Sequence, residues 1–304
     1  MDVAVLGAGP AGRAITQLCA VAGHAVSLHD ETVAAAMDGI DTVEQRLDDA
    51  VDAGELQPGT RVTAVENLEA TTGLDAAVTD AGVVLETTTV ESTALQERFA
   101  EIEEYADREA LVAPTGDVGV TAAAAGLRHP DRAVGLRFQD PLARPLVEVV
   151  VAEQTSRETR ERATEFVDGI GRSPVVVRDA PGAVATRTIL ALEVEAMRVV
   201  DEGVAGVEAV DDAMELGHDH PAGPLENADR AGLGQRLETL EHLRERLGER
   251  FDPPDLLRDL VAEGNTGLAS GEGFYVWEDD RPVEPAVSIP EVSRPESGPD
   301  DPSH

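Results

Sequence analysis

Apolar residues in the first half of the chain gather into short runs. Between those runs they recur every three or four positions, the signature of strands alternating with helices. Asp2–Leu6 and Ala25–His29 read as strands, with a helix over 10–22 between them and Gly23 placed as its terminating glycine. A long helix is predicted over 31–53, where Ala, Met, Ile, Val and Leu return at helical spacing. Val62–Val65 reads as a strand. So does Gly82–Glu86, whose dense apolar run is that of a strand buried on both faces. Helix 92–106, strands 110–114, 132–138 and 146–151, helix 156–170 and strand 174–178 continue the alternation. An α/β domain over 1–178 is therefore expected.

The pattern changes at Asp179-Ala180-Pro181-Gly182. Beyond it a helical period holds over 183–202, 207–217, 224–247 and 253–264 with no convincing strand, so a smaller all-α domain is expected over 179–278. From 279 the chain turns Pro-, Ser- and acid-rich, and 279–304 is expected as a disordered tail because few of its side chains could join a core.

At 304 residues the chain can bury one large core or two moderate ones. It has no apolar run of about 18 residues, so no transmembrane helix is expected. The N-terminus enters a strand directly, without the basic region and cleavage site of a signal peptide, and the chain reads as cytoplasmic. The single Cys19 excludes an internal disulfide and a multi-cysteine metal site, and no metal is predicted. Charge changes the picture more. Sixty acidic residues stand against 24 basic ones, for a net charge of −36, and every basic residue other than histidine is arginine. Such a body repels nucleic acid and anionic membranes. Acids spread along the whole chain, with lysine absent, match a halophilic style in which molar salt, with a Debye length of about 3 Å, screens the self-repulsion.

Gly7-Ala8-Gly9-Pro10-Ala11-Gly12 follows the first strand and opens the first helix. In that setting Gly7 permits the tight turn, Gly9 lets a pyrophosphate approach the backbone, and Gly12 allows helix and strand to pack closely. The helix N-terminus adds partial positive charge, and Pro10 suits its first position. Asp30, at the end of the second strand, would accept hydrogen bonds from a ribose and repel a 2′-phosphate, which favours NAD over NADP.

Several further segments carry a resemblance. They are Val83-Val84-Leu85-Glu86 with Val90-Glu91, His129–Gly135, Leu146–Val150, Gly171–Gly182, Glu202–Ala205, His220–Glu226 and Gly271–Tyr275. Together with Gly7–Gly12, the chain to about residue 277 resembles the L-3-hydroxyacyl-CoA dehydrogenase family. The resemblance implies a Rossmann-like NAD-binding domain followed by a helical domain, with Glu91 joining the cofactor site. It further implies a small-molecule substrate of the acyl-CoA class, oxidation of 3-hydroxyacyl-CoA in fatty-acid metabolism, and a homodimer through the helical domain.

The family's catalytic pair is a histidine that moves the proton and a glutamate that orients it. Glu148 matches the glutamate, but Arg137 stands where the histidine is expected, and a guanidinium stays protonated at any working pH. The family serine falls at Asp117 and its helical-domain asparagine at Thr186, while Asp140-Pro141 replaces the Asn-Pro that follows the histidine. The family's substrate-side lysines fall near Gln96 and at Leu268 or Ala269. Arg137, Glu148 and Asp117 are expected to gather into an ion network filling the old relay. The competing reading makes Arg137 a fork for a substrate carboxylate. His29, His129, His218, His220 and His242 are candidate replacement bases, each more simply read as a structural or solvent-facing residue. Three functions follow: a 3-hydroxyacyl-CoA oxidoreductase, an inactive NAD-binding paralogue, or a dehydrogenase of another hydroxy acid that uses Arg137 as its anion anchor.

Overall fold

The computed structural model describes residues 1–88 and 92–287, and the chain divides into a unit over Met1–Ala183 and a second beginning at Val184. In the first unit β1 (Asp2–Leu6), β2 (Ala25–His29), β3 (Leu68–Thr71), β4 (Val83–Glu86) and β5 (Leu111–Pro114) form a parallel sheet in the order β3-β2-β1-β4-β5. Helices α1 (Pro10–Val21), α2 (Val33–Asp52), α3 (Pro58–Glu66), α4 (Leu74–Val78), α5 (Ser92–Tyr105) and α6 (Val120–Ala124) link and cover its strands. Then β6 (Gly135–Phe138) pairs antiparallel with β7 (Leu146–Val151). After α7 (Arg157–Gly169), β8 (Ser173–Arg178) pairs parallel with β7.

Both faces of the sheet are buried, which explains the near-continuous apolar runs of β1 and β4. Along β1 the side chains alternate: Val3 and Val5 pack with Ile15, Leu28 and Val43, and Ala4 and Leu6 with Val84, Phe99 and Ile102. Pro10 opens α1 at a position where its missing N–H costs nothing, and Gly23, at φ +86°, closes the turn after it.

The strand expected at Val62–Val65 is instead the second half of α3. Pro58 starts that helix, Ala64 is its buried side chain, and Val62 is exposed. The true edge strand is Leu68–Thr71, whose mostly half-buried residues give no apolar run to detect.

The second unit packs α8 (Ala185–Asp201), α9 (Val207–His218), α10 (Pro224–Ala231), α11 (Leu233–Leu247) and α12 (Asp255–Glu263) around Leu190, Met197, Leu225, Leu240, Phe251 and Phe274. The single helix expected over 224–247 is two, because Gly232 takes φ +91° between α10 and α11. The expectation of no strand there also fails. An antiparallel hairpin of β9 (Tyr275–Glu278) and β10 (Arg281–Pro285) follows the helices, so residues 279–287 belong to the folded unit rather than to a tail.

Two buried aspartates lock this hairpin to the helices. The Asp211 carboxylate accepts from the N–H groups of Leu225 and Glu226 and from the Tyr275 hydroxyl. Asp229 accepts from the N–H groups of Phe274 and Tyr275 and from Trp277 Nε1. Burial pushes both carboxyls up from their ordinary value, while their hydrogen bonds pull the other way. No helix among the described residues is long and apolar enough to cross a membrane.

Candidate functional site

The turn from β1 to α1 has the shape a bound pyrophosphate needs. Gly7 sits at φ +109°, where a Cβ would lie 2.2 Å from Thr88. A Cβ on Gly12 would fall 1.8 Å from the Gly7 carbonyl oxygen, so only glycine lets α1 approach the turn. Gly9 is the opposite case: a Cβ there meets nothing within 4 Å, and the residue faces open space. The helix begins at Pro10, and the N–H groups of Ala11 and Gly12 have no acceptor further back along it. These are the donors and the room that an anionic group requires, and the site fits a dinucleotide.

Asp30 directly follows β2, next to this turn, and its Oδ2 accepts the Ala8 N–H at 3.0 Å. The carboxylate is thereby aimed by the glycine-rich loop itself. His29 and Glu31, the chain neighbours of Asp30, line a cavity of about 540 Å³ with Thr72, Leu74, Arg98 and Tyr105 among others. His29 is buried at the end of β2, and burial followed by the Arg98 charge holds its imidazole below the usual value. Arg98 reaches Glu86 Oε2 at 3.2 Å, and Glu86 Oε1 accepts from the N–H and hydroxyl of Thr88. Glu91, assigned above to the cofactor site, lies outside the described residues.

The second cluster forms where β6 meets β7. Their register sets Arg137 directly opposite Glu148, so the two side chains project from neighbouring strands on one face. Both are buried, at 6% and 1% exposure. The ion pair that holds the guanidinium runs elsewhere: Arg137 Nη2 lies 2.9 Å from Asp117 Oδ1. The same guanidinium donates to the Val118 and Ala180 carbonyls at 3.3 and 3.4 Å. Asp117 Oδ1 also accepts the Gly182 N–H at 3.2 Å. Arg137 is thus tied to the loop after β5 and to the segment after β8. Asp140 caps the β6–β7 turn, its Oδ1 accepting from the N–H groups of Leu142 and Ala143.

Thr186 lies in the first turn of α8, in the second unit. Of the candidate bases besides His29, His129 donates its backbone N–H to Glu103 in the first unit, while His218, His220 and His242 belong to the second. Groups of three or more His, Cys, Asp or Glu residues able to hold a metal ion are absent among the described residues.

One further contact was not anticipated from the residues alone. Arg13, on α1, points back at the loop and donates from Nε to the Ala8 carbonyl at 2.6 Å. Its place one residue after Gly12 was the only available signal.

Known proteins match this architecture over nearly all of the chain. Residues 2–180 fit the 3-hydroxyacyl-CoA dehydrogenase NAD binding domain, and residues 182–277 fit the C-terminal domain of the same family. A probable 3-hydroxybutyryl-CoA dehydrogenase of Deinococcus radiodurans is 34% identical, the match covering 91% of this chain and 100% of that protein. The human mitochondrial hydroxyacyl-coenzyme A dehydrogenase is 31% identical, with 91% of each chain covered. The crystal structure of (S)-3-hydroxybutyryl-CoA dehydrogenase from Ralstonia eutropha superposes with a TM-score of 0.86 at 30% identity, covering 91% of this chain and 99% of the other.

Proposed function

The chain belongs to the 3-hydroxyacyl-CoA dehydrogenase family, and from that premise we propose that it holds NAD while its proton relay is closed. Bound NAD supplies hydride acceptance or donation. Gly7, Ala8, Gly9, Pro10, Ala11 and Gly12 form its phosphate cradle, Asp30 engages the ribose, and Glu91 completes the site. Hydroxyl oxidation also needs a group that takes a proton, and ketone reduction one that gives it. Arg137 does neither near neutral pH. The observation that carries this reading is the pairing of buried Arg137 with Asp117 at 2.9 Å, which engages the guanidinium inside the protein. Glu148, opposite, then orients no imidazole. The same pairing argues against Arg137 as an anchor for a substrate carboxylate, because both of its terminal nitrogens already face Asp117 or backbone carbonyls.

On this reading the chain is an NAD-binding, non-turning-over relative of the 3-hydroxybutyryl-CoA dehydrogenases. Acyl-CoA is its ligand class by analogy, and Thr186 holds the position of the family's asparagine. The protein works in a salt-rich cytoplasm and pairs with a second copy through the helical unit. The whole-length match to relatives named for 3-hydroxybutyryl-CoA favours a second reading, a working oxidoreductase with a proton acceptor other than residue 137. Calorimetric titration with NAD in molar salt, followed by an acetoacetyl-CoA reduction assay with NADH, separates the two. Binding without turnover supports the first reading, and robust turnover overturns it.

A further inference from the structure

Ala8 is gripped through both of its backbone polar groups. The Ala8 N–H donates to Asp30 Oδ2 at 3.0 Å, and the Ala8 carbonyl accepts from Arg13 Nε at 2.6 Å. Arg13 is itself anchored on α2, donating from Nη1 to Thr42 Oγ1 at 2.8 Å and from Nη2 to Asp38 Oδ2 at 2.6 Å. Thr42 is set in turn by its hydroxyl bond to the Asp38 carbonyl. One planar guanidinium thus joins the loop, its own helix and the neighbouring helix, a span a lysine ammonium cannot bridge.

Peptide planarity turns this clamp into an aim. The chain has no cis peptide among the described residues, so the Gly9 N–H points opposite to the Ala8 carbonyl. That N–H has no hydrogen-bond partner among the described residues, and Gly9 faces open space. A carbonyl held toward Arg13 therefore leaves the Gly9 N–H presented outward, beside the free first-turn donors of α1.

We infer that Arg13 is a positioning residue of the cofactor site: by clamping the Ala8–Gly9 peptide from α2, it presents the Gly9 N–H to the pyrophosphate of NAD. The inference rests on the reading that this loop binds NAD. It differs from a direct charge effect, because the Arg13 charge is already matched by Asp38 and its donors face the protein.

The test is titration of the full chain in molar KCl with NAD and ADP, with adenosine as the ligand that lacks phosphate. Arg13→Ala should weaken NAD and ADP about tenfold, the loss of one oriented charge-assisted contact, and leave adenosine unchanged. Arg13→Lys should weaken them similarly, because a point charge does not hold the fork. Asp38 is largely exposed, so Asp38→Asn tests the anchor without disturbing the core. Positioning predicts weaker ADP binding in that variant, whereas a bare charge effect predicts tighter binding. Tighter binding by Asp38→Asn, or full ADP affinity in Arg13→Ala, overturns the inference alone. A wild-type chain that binds ADP no better than adenosine overturns the cofactor reading and this inference with it.

Discussion

Putting an imidazole at position 137 tests the closed relay most sharply. Arg137 and Glu148 are directly opposed across β6 and β7, which places their Cβ atoms about 4.5–5.5 Å apart. The side chain in Arg137→His therefore lies within reach of the Glu148 carboxylate, and the orienting pair of the family is rebuilt in place. The change removes the 2.9 Å ion pair with Asp117 and two longer bonds to carbonyls at 3.3 and 3.4 Å. Asp117 is 37% exposed, so it rehydrates instead of remaining a stranded charge. The cost is accordingly about 1–2 kcal/mol, at the low end for a charge-assisted contact. Asp117→Ser and Thr186→Asn supply the other two family residues. A positioned acid–base group contributes about 10²–10⁴-fold. The triple variant should thus reduce acetoacetyl-CoA at least about a hundredfold faster than the wild type, followed as loss of NADH absorbance at saturating salt. Robust wild-type turnover that the triple variant fails to exceed would refute the argument, because residue 137 would then not limit proton transfer.

Two further outcomes follow from single groups. Glu193, fully buried in α8 beside Arg236, is pushed up by burial from 4.5 to about 7. Its folded value exceeds its unfolded one, so the folded state binds the proton more tightly. The stabilisation from Glu193 is complete below about 4.5 and is lost as pH rises toward about 7, by at most about 3 kcal/mol. Thermal melts of wild type and Glu193→Gln across this window should diverge progressively, and a constant difference would sink the assignment. Asp30→Ala should narrow the preference for NAD over NADP and also weaken NAD, since the Ala8 N–H loses its acceptor. An unchanged NAD/NADP affinity ratio would show that another group makes the discrimination.

How much of this was legible in the residues depends on where the information sits. The buried strands β1 and β4 declare themselves because both faces are apolar, and Gly7–Gly12 declares itself because each glycine answers a separate steric demand. Edge strand β3 is only half-buried, and the β-branched pair Val62 and Val65 mimics a strand inside a helix begun by Pro58. The β9–β10 hairpin is held by Asp211 and Asp229 from α9 and α10, partners about 45 to 65 residues away that no local pattern reveals. At the relay, the residues led to an expected ion network of Arg137, Glu148 and Asp117; the pairing register sets Arg137 opposite Glu148, but the ion pair of the guanidinium runs to Asp117. That Asp117 would take the ion pair at 2.9 Å depended on backbone positions after β5 and β8, which residue identity does not encode locally.

Salt separates the two roles that charge plays in this chain. Repulsion among 60 acidic residues acts over the whole surface and is screened when the Debye length falls to about 3 Å in molar salt. Exposed pairs such as Arg157–Glu161 are screened with it. Arg137 is not in that class: its side chain is 7% exposed and touches Asp117 at 2.9 Å, inside the screening length and shielded from ions on most sides. Raising KCl from low to molar concentration should therefore raise the melting temperature steeply while leaving the relay closed. Acetoacetyl-CoA reduction by the wild type should stay at its floor at every salt concentration at which the chain is folded. A melting temperature flat across the series would remove the halophilic reading. Activity that rises with salt beyond the folded fraction would mean that the Arg137–Asp117 pair opens, and that the closure inferred from its burial does not hold.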